Sequence, residues 1–357
     1  MNSSSDLIVF AWGKTGWHIF PIIALLEQKP TWISTLRIGG KWCLEQQVAQ
    51  QYQIPFVGLN INNSLPSILR ASLEVRKIFK KQPPKAVFVK GGYVSLPVLL
   101  AAKSMKIPIV AHESDYILGK TSRFASMLKA KLLCGFPGVS RQCRHVGQLL
   151  SNKLISGLNE SLNNNVDIEV DNVDTQVDNS KTNIVVVGGS QWSRAIFNWL
   201  LNIFQNEDFD ASRFAFKIIW WTSNQNFKSS FAKYDFVEFF GFVSQAQMGQ
   251  IYDWADIAIT RWWATSLFEQ DLFELKKVII PLPFASQDHQ RYNALFFETQ
   301  KQDFVVLEEV GWEFILKDIL EQHTGYKKHA TYTLDYLQTQ IQTPKNLVWQ
   351  TLLEKAK

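Results

Sequence analysis

With 357 residues, 46% hydrophobic and 19% charged, the chain is long enough for two domains that each bury a core. Its net charge of +5 hides an asymmetry, because residues 1–150 carry 19 Lys and Arg against 6 Asp and Glu while the remainder carries 18 against 26. The opening "MNSSSD" has no basic leader region, Lys14 and His18 interrupt the first apolar stretch, and Cys43, Cys134 and Cys143 lack metal-ligand spacing. We therefore expect a cytoplasmic protein with reduced thiols, at most peripheral to a membrane.

The first apolar run, 7–10, leads through "AWGKTGWH" (11–18) into a second, 19–26, and reads as strand, glycine turn and helix start. The "GKT" does not end a phosphate-binding loop of the GxxxxGK[ST] type, because Ile8 stands where that motif needs its first glycine. What remains is Gly13 and Gly16 in a turn with His18 at the helix start, where the helix dipole disfavours the imidazolium and leaves a neutral base or a structural histidine. A strand at 31–35 follows. The stretch "RASLEVRKIFKKQPPK" (70–85) then clusters Arg70, Arg76, Lys77, Lys80 and Lys81 beside Leu73, Ile78 and Phe79, as an anionic-lipid docking helix or a solvated basic face would. After a strand at 86–89, "KGGYVSLP" (90–97) repeats the strand, glycine and helix plan. The strand at 107–112 ends in "AHESDYILGKTSR" (111–123), which puts His112, Glu113 and Asp115 at one strand end, a hydrogen-bonding cluster or a metal group. A strand at 131–135 closes the half.

Residues 159–183 are polar, acidic and Asn-rich and cannot build a core, so they read as a linker or loop extension. The alternation then resumes with strands at 183–188, 216–222, 237–242, 256–260, 277–282 and 303–307. "VVVGGSQWSRA" (185–195) offers free amides and the Ser190 hydroxyl at a helix start, which suits a diphosphate. In "ITRWWATSLFEQ" (259–270), Thr265 or Ser266 is expected to cap a helix that carries Glu269 about one turn in. "PLPFASQDHQRYNA" (281–294) gathers polar groups suited to a hydroxyl-rich ligand. Continuous apolar strands separated by helices predict an α/β chain with two parallel sheets facing a central cleft, and ligands outside the carboxyl ends of the strands. We expect domains at 1–155 and 183–340, a linker at 156–182, and a terminal helix at 341–357 that packs back on the first domain.

Five pieces in order, "GGYVSLP", "HESDYILGKTSR", "GGSQ", the stretch 261–269 and "PLPFASQDHQRYNA", resemble the MurG-like UDP-N-acetylglucosamine:lipid I N-acetylglucosaminyltransferases. The resemblance spans about 9–293 without the acidic linker. It implies the GT-B fold, two Rossmann-like domains, with UDP-GlcNAc as donor held mainly by the second domain. It also implies a lipid-linked diphosphate acceptor met by the basic first domain at an anionic inner membrane surface, with no nucleic acid partner. On matching positions, Thr15, Gly16 and Trp17 fall on the glycine loop, and His18 or Glu113 on the base. Asp115 stands where the family has an asparagine near the sugar. Ser190 falls on the diphosphate, Val243 on uracil, and Ala264, Thr265, Ser266, Leu267, Phe268 and Glu269 on the nucleotide cradle with Glu269 at the ribose. Gln290 and Asn293 fall on the GlcNAc hydroxyls. The implied chemistry is inverting transfer at the sugar C1, with no metal and no cofactor.

The departures fall in the same loops. Lys14, Trp17, Trp192, Trp262 and Trp263 occupy positions where the family has glycine or small residues, and the phosphate-facing arginine of its "GNPVR" element has no counterpart in 147–151. Lys153 and Lys14 are candidate substitutes for that charge. Such loops fit an aromatic sugar platform, a non-catalytic protein of the same fold that binds a sugar nucleotide or lipid-linked glycan, or a general excess of tryptophan, of which the chain has 13.

Overall fold

A computed structural model of the chain describes residues 6–13, 16–41, 44–163, 181–188, 194–220, 226–241, 243–261, 263–282, 288–307 and 311–356. They form two compact units, one of Met1–Ser151 with Thr339–Lys357 and the other of Asn152–Gln338.

The first unit is built on seven strands, β1 (Asp6–Trp12), β2 (Ile33–Gly40), β3 (Phe56–Leu59), β4 (Ala86–Lys90), β5 (Ile109–Glu113), β6 (Lys131–Cys134) and β7 (Cys143–His145). All pair in parallel, in the order β3-β2-β1-β4-β5-β6-β7. Helices α1 (Gly16–Leu26), α2 (Leu44–Gln51), α3 (Leu65–Lys81), α4 (Leu96–Ser104) and α5 (Lys120–Met127) make the crossovers. Strand β1 shows why its sequence is apolar without alternation. Ile8, Phe10 and Trp12 enter one core with residues of α1 and of 348–352, while Val9 and Ala11 enter a second core with α3 and α4.

The second unit begins with α6 (Lys153–Asn163) and continues β8 (Thr182–Gly188), α7 (Arg194–Phe204), β9 (Phe214–Trp220), α8 (Asn226–Phe231), β10 (Val237–Phe240), α9 (Gln245–Trp254), β11 (Ile257–Thr260), α10 (Ala264–Leu272), β12 (Lys276–Ile279), α11 (His289–Lys301), β13 (Phe304–Val305) and α12 (Trp312–Gln322). Its six parallel strands run β10-β9-β8-β11-β12-β13. Helix α6 packs on α9 at backbone contact, since a Cβ on Gly249 would lie 1.7 Å from the Leu154 carbonyl oxygen. The last helix, α13 (Leu334–Ala356), carries residues of the first unit from Thr339 onward. There Trp349 Nε1 donates to the Leu25 carbonyl (3.0 Å), and the buried Lys345 ammonium meets Glu27 (3.2 Å).

All eleven expected strands are present, and two more were not foreseen. Strand β3 is four residues long and contains Gly58, and β7 is the three-residue edge "CRH", so neither carries an apolar run. Strand β2 extends to Gly40 through a charge, Arg37, which is fully buried with its guanidinium 3.2 Å from the Trp12 ring centroid. That stacking hides a strand end that hydropathy alone cannot see. Cys134 and Cys143, nine residues apart, are joined by a disulfide between neighbouring strands β6 and β7. The reading of three scattered reduced thiols missed this pair because β7 itself was missed. Cys43 lies outside the described residues.

Candidate functional site

Each sheet reverses its direction of growth once. In the first, the chain builds outward from β1 through β2 to β3 and then returns to β4, beside β1. In the second, the same reversal falls between β8 and β11. Loops at such a switch point diverge to opposite faces and leave a crevice at the strands' carboxyl ends. The first crevice lies beyond the paired ends of β1 and β4, at Trp12 and Lys90, and the second beyond the ends of β8 and β11.

In the first unit, β4 delivers Lys90 to the strand end and Gly91-Gly92 turn the chain, both at φ +72°. A Cβ on Gly92 would lie 2.3 Å from the Gly13 Cα, so the two loops touch backbone to backbone. Lys90 is 2% exposed. Its ammonium donates to His112 Nδ1 (2.9 Å) and to the Ser114 hydroxyl oxygen. His112 Nε2 donates to the Gly147 carbonyl (3.0 Å), which fixes the tautomer and leaves Nδ1 as the acceptor. Burial, and then the adjacent Lys90 charge, hold His112 well below its ordinary pKa, so it is neutral. Burial also pushes Lys90 down to about 8, against the pull of Glu113 and Asp115. The Glu113 carboxylate accepts the amides of Asp115 (3.2 Å) and Gly119 (2.9 Å), which ties the 113–119 loop to the start of α5. Gln148 Nε2 donates to the Ser114 carbonyl (2.7 Å), in a space left by Gly135. Among the described residues no group of three His, Cys, Asp or Glu could hold a metal ion; His112 bonds to Lys90 and Gly147, and Glu113 to the amides of Asp115 and Gly119.

In the second unit, α10 starts directly after the β11 loop. Its N-cap is Trp263, without a side-chain cap, so Thr265 and Ser266 sit inside the helix and do not cap it. Glu269 is 7% exposed, and no hydrogen bond or ion pair partners its carboxyl among the described residues. Burial raises its pKa to about 8. The buried Tyr252 phenol is pushed up by burial and further by Glu269. Beside it, Gln270 Nε2 donates to Thr260 Oγ1 (3.2 Å), and Arg261 Nη1 donates to the Ile280 carbonyl (3.1 Å), which joins the β11 and β12 loops. On α11, Gln290 accepts the Leu282 amide (2.9 Å), and Asn293 is fully buried. Buried charges at the amino ends of these strands are all matched. Lys277 meets Asp303 (3.0 Å) and Asp271 (3.2 Å), and Asp256 meets Lys327 (3.0 Å). At the carboxyl ends, Glu269 has no such partner among the described residues.

Two family descriptions match the chain, the glycosyltransferase family 28 N-terminal domain over residues 8–133 and the family 28 C-terminal domain over residues 183–333. Together they cover most of its length. The chain belongs to glycosyltransferase family 28. The UDP-N-acetylglucosamine–N-acetylmuramyl-(pentapeptide) pyrophosphoryl-undecaprenol N-acetylglucosamine transferase of Psychromonas ingrahamii is 26% identical over 324 residues, 87% of this chain and 86% of its own. The protein of that name from Nostoc punctiforme is 28% identical over 308 residues, 83% and 82% of the two chains. The crystal structure of Acinetobacter baumannii MurG superposes with a TM-score of 0.72 at 20% identity, covering 98% of this chain and 99% of that one. The two parallel-sheet units are thus those of a GT-B fold.

On this family 28 frame the expected site residues distribute unevenly. Thr15 and Ser190 lie outside the described residues, as do the side chains of Trp17 and His18, although Gly16, Trp17 and His18 open α1. Glu113 and Asp115 lie together at the end of β5, half-buried. Ala264 to Glu269 form the first turns of α10, Gln290 and Asn293 the buried face of α11, and Val243 is buried before α9. Lys14, Trp192 and Trp262 lie outside the described residues, while Lys153 is exposed at the start of α6. Sequence reasoning missed Lys90 and Ser114. The signal available was a lysine closing an otherwise apolar strand at a glycine pair.

Proposed function

We propose that the chain is an inverting glycosyltransferase that moves GlcNAc from UDP-GlcNAc to a diphosphate-lipid-linked muramoyl-peptide in peptidoglycan synthesis, at the cytoplasmic face of a membrane. The observation that carries this reading is the unpartnered, buried Glu269 at the switch point of the second sheet. An isolated buried carboxyl is costly, and a ribose diol supplies two hydroxyl donors to a single carboxylate. Gln290 and Asn293, buried on the neighbouring helix, suit the hydroxyls of the transferred sugar. The family pattern assigns the loop after β8, with Ser190, to the diphosphate and Val243 to uracil. The acceptor named in the curated relatives is the lipid-linked muramoyl-peptide.

In the reaction, the acceptor hydroxyl oxygen bonds to the donor C1 from the face opposite the diphosphate. The C1–O bond breaks with its electrons going to UDP, and the acceptor proton passes to a base, His18 or Glu113. Glu113 already accepts two backbone amides, one on each carboxylate oxygen, which commits it to organising its own loop. His18, at the first turn of α1, is the better candidate.

Helix α3 supports membrane docking in a way the sequence only half revealed. Phe79 is fully buried and Ile78 packs on the core, so they do not serve. Leu65, Leu69 and Leu73 are 68%, 50% and 61% exposed, and at i, i+4 spacing they make one apolar stripe. Exposed Arg70, Lys77, Lys80 and Lys81 lie on the same helix. An apolar stripe among cations matches an anionic leaflet. Among the described residues no helix is long and apolar enough to cross a membrane.

Calorimetry with UDP-GlcNAc and UDP release in the presence of a lipid I analogue test the reading. Binding and acceptor-dependent release are expected. A chain that does not bind UDP-GlcNAc is not this enzyme.

A further inference from the structure

Lys90 is a buried cation that the transfer chemistry above does not use. Its ammonium spends one proton on His112 and one on the Ser114 hydroxyl oxygen, 24 residues away on the β5 loop. Ser114 is half-buried, flanked by Glu113 and Asp115, and its carbonyl is held by Gln148. Because its oxygen accepts from an ammonium, the Ser114 hydroxyl must turn its own proton elsewhere, and that proton has no acceptor among the described residues. A hydroxyl that receives a charge-assisted bond is polarised and donates more strongly.

The surrounding charge decides what Ser114 donates to. Lys90 is opposed by two carboxylates, Glu113 and Asp115, both close enough to act on it. A phosphoryl oxygen brought here would face those carboxylates. A neutral group that both accepts and donates meets no such penalty, and a sugar hydroxyl does both. We infer that Ser114 and Asp115 form a hydroxyl-reading pair for a sugar of the transfer reaction, the serine donating to the hydroxyl oxygen and the aspartate accepting its proton, with Lys90 as the buried positioning residue. The pairing accounts for a departure from the family pattern. An asparagine can both donate and accept, whereas Asp115 at that position only accepts, and the donor is supplied next door by Ser114. This inference rests on the glycosyltransferase reading and identifies a residue pair within it.

The test uses the full chain with UDP-GlcNAc and a short-chain lipid I analogue, comparing Ser114→Ala, Lys90→Met, the double variant and Ser114→Thr. Loss of one polarised hydrogen bond should raise the acceptor KM about tenfold with kcat nearly unchanged, and leave UDP-GlcNAc affinity as it was. Because Lys90 acts through Ser114, the double variant should lose no more than Ser114→Ala alone, and Ser114→Thr should restore most of the loss. A fall confined to UDP-GlcNAc affinity would assign the hydroxyl to the donor sugar and keep the pair. Unchanged constants in Ser114→Ala, multiplicative losses in the double variant, or losses that track a lowered melting temperature would overturn it. If the unsubstituted chain itself transfers nothing, the parent reading fails and this one with it. Transfer that is indifferent to Ser114 defeats this one alone.

Discussion

The two switch points bury opposite kinds of ionisable group. At the first, the Lys90 cation is surrounded by partners on β5 and its loop, and every link from Lys90 to Gly147 is made within the protein. At the second, the Glu269 carboxyl, an acid that burial keeps protonated near neutral pH, stands without a described partner. A crevice whose buried charge is already paired within the protein is preorganised and changes little when a ligand arrives. One that keeps a carboxyl out of water without a donor stays destabilised until a ligand supplies it. The pair therefore separates a site that positions from a site that waits. For a sugar-nucleotide transferase, binding affinity should be concentrated in the second and acceptor geometry in the first.

The sharpest way to break this contrast is Glu269→Ala. Two charge-assisted bonds to a ribose diol are worth about 1.5–3 kcal/mol each, so UDP-GlcNAc affinity should fall by about two to four orders of magnitude with the fold intact. Calorimetry reads it directly. An affinity within threefold of the parent would remove Glu269 from the donor site.

Gly92→Ala attacks the preorganised crevice. A positive φ costs a side chain about 1–3 kcal/mol, and the new Cβ would also collide with Gly13. Unfolding by urea should reveal a loss of at least that size, and transfer should fall further than stability because two loops are forced apart. A neutral substitution would show that these loops do not touch in solution.

Docking through α3 is a weaker, graded effect. Leu69→Gln together with Leu73→Gln removes two exposed apolar side chains and should weaken co-sedimentation with anionic vesicles by about tenfold or more, with transfer to a soluble acceptor analogue unchanged. Added salt should weaken the parent's binding, since Arg70, Lys77, Lys80 and Lys81 contribute by charge.

These particular residues also mark what the sequence could and could not disclose. The apolar strands and glycine turns were legible because burial on both sheet faces leaves an unbroken hydropathy signal, as in β1 and β8. Glu269 was legible through its position one turn into α10. What hid was whatever depended on a partner distant in sequence. Arg37 passes inside a strand only because Trp12 stacks on it, and β7 is a strand only because β6 pairs with it. The Lys90–Ser114 link joins two strand ends, and neither residue stands out alone. The apolar stripe of α3 was misplaced for the same reason, since Phe79 and Leu69 differ only in what the sheet covers.

The smallest expected effect is the most discriminating for the waiting site. Burial raises the Glu269 pKa from 4.5 to about 8. Between those values the folded chain holds a proton that the unfolded chain releases, so this group's contribution to stability falls as pH rises from 4.5 toward 8 and levels off above it. Glu269→Gln cannot lose a proton. Its melting temperature should match the parent's at about pH 4 and increasingly exceed it as the pH rises to about 9. Ribose hydroxyls donate to the carboxylate form, so UDP-GlcNAc should pull the pKa back down and expel a proton near neutral pH. Calorimetry at neutral pH in two buffers of different ionisation enthalpy should show close to one proton released by the parent and none by Glu269→Gln. Equal proton counts would mean that the donor leaves Glu269 protonated, and the ribose would then have to be held by another group.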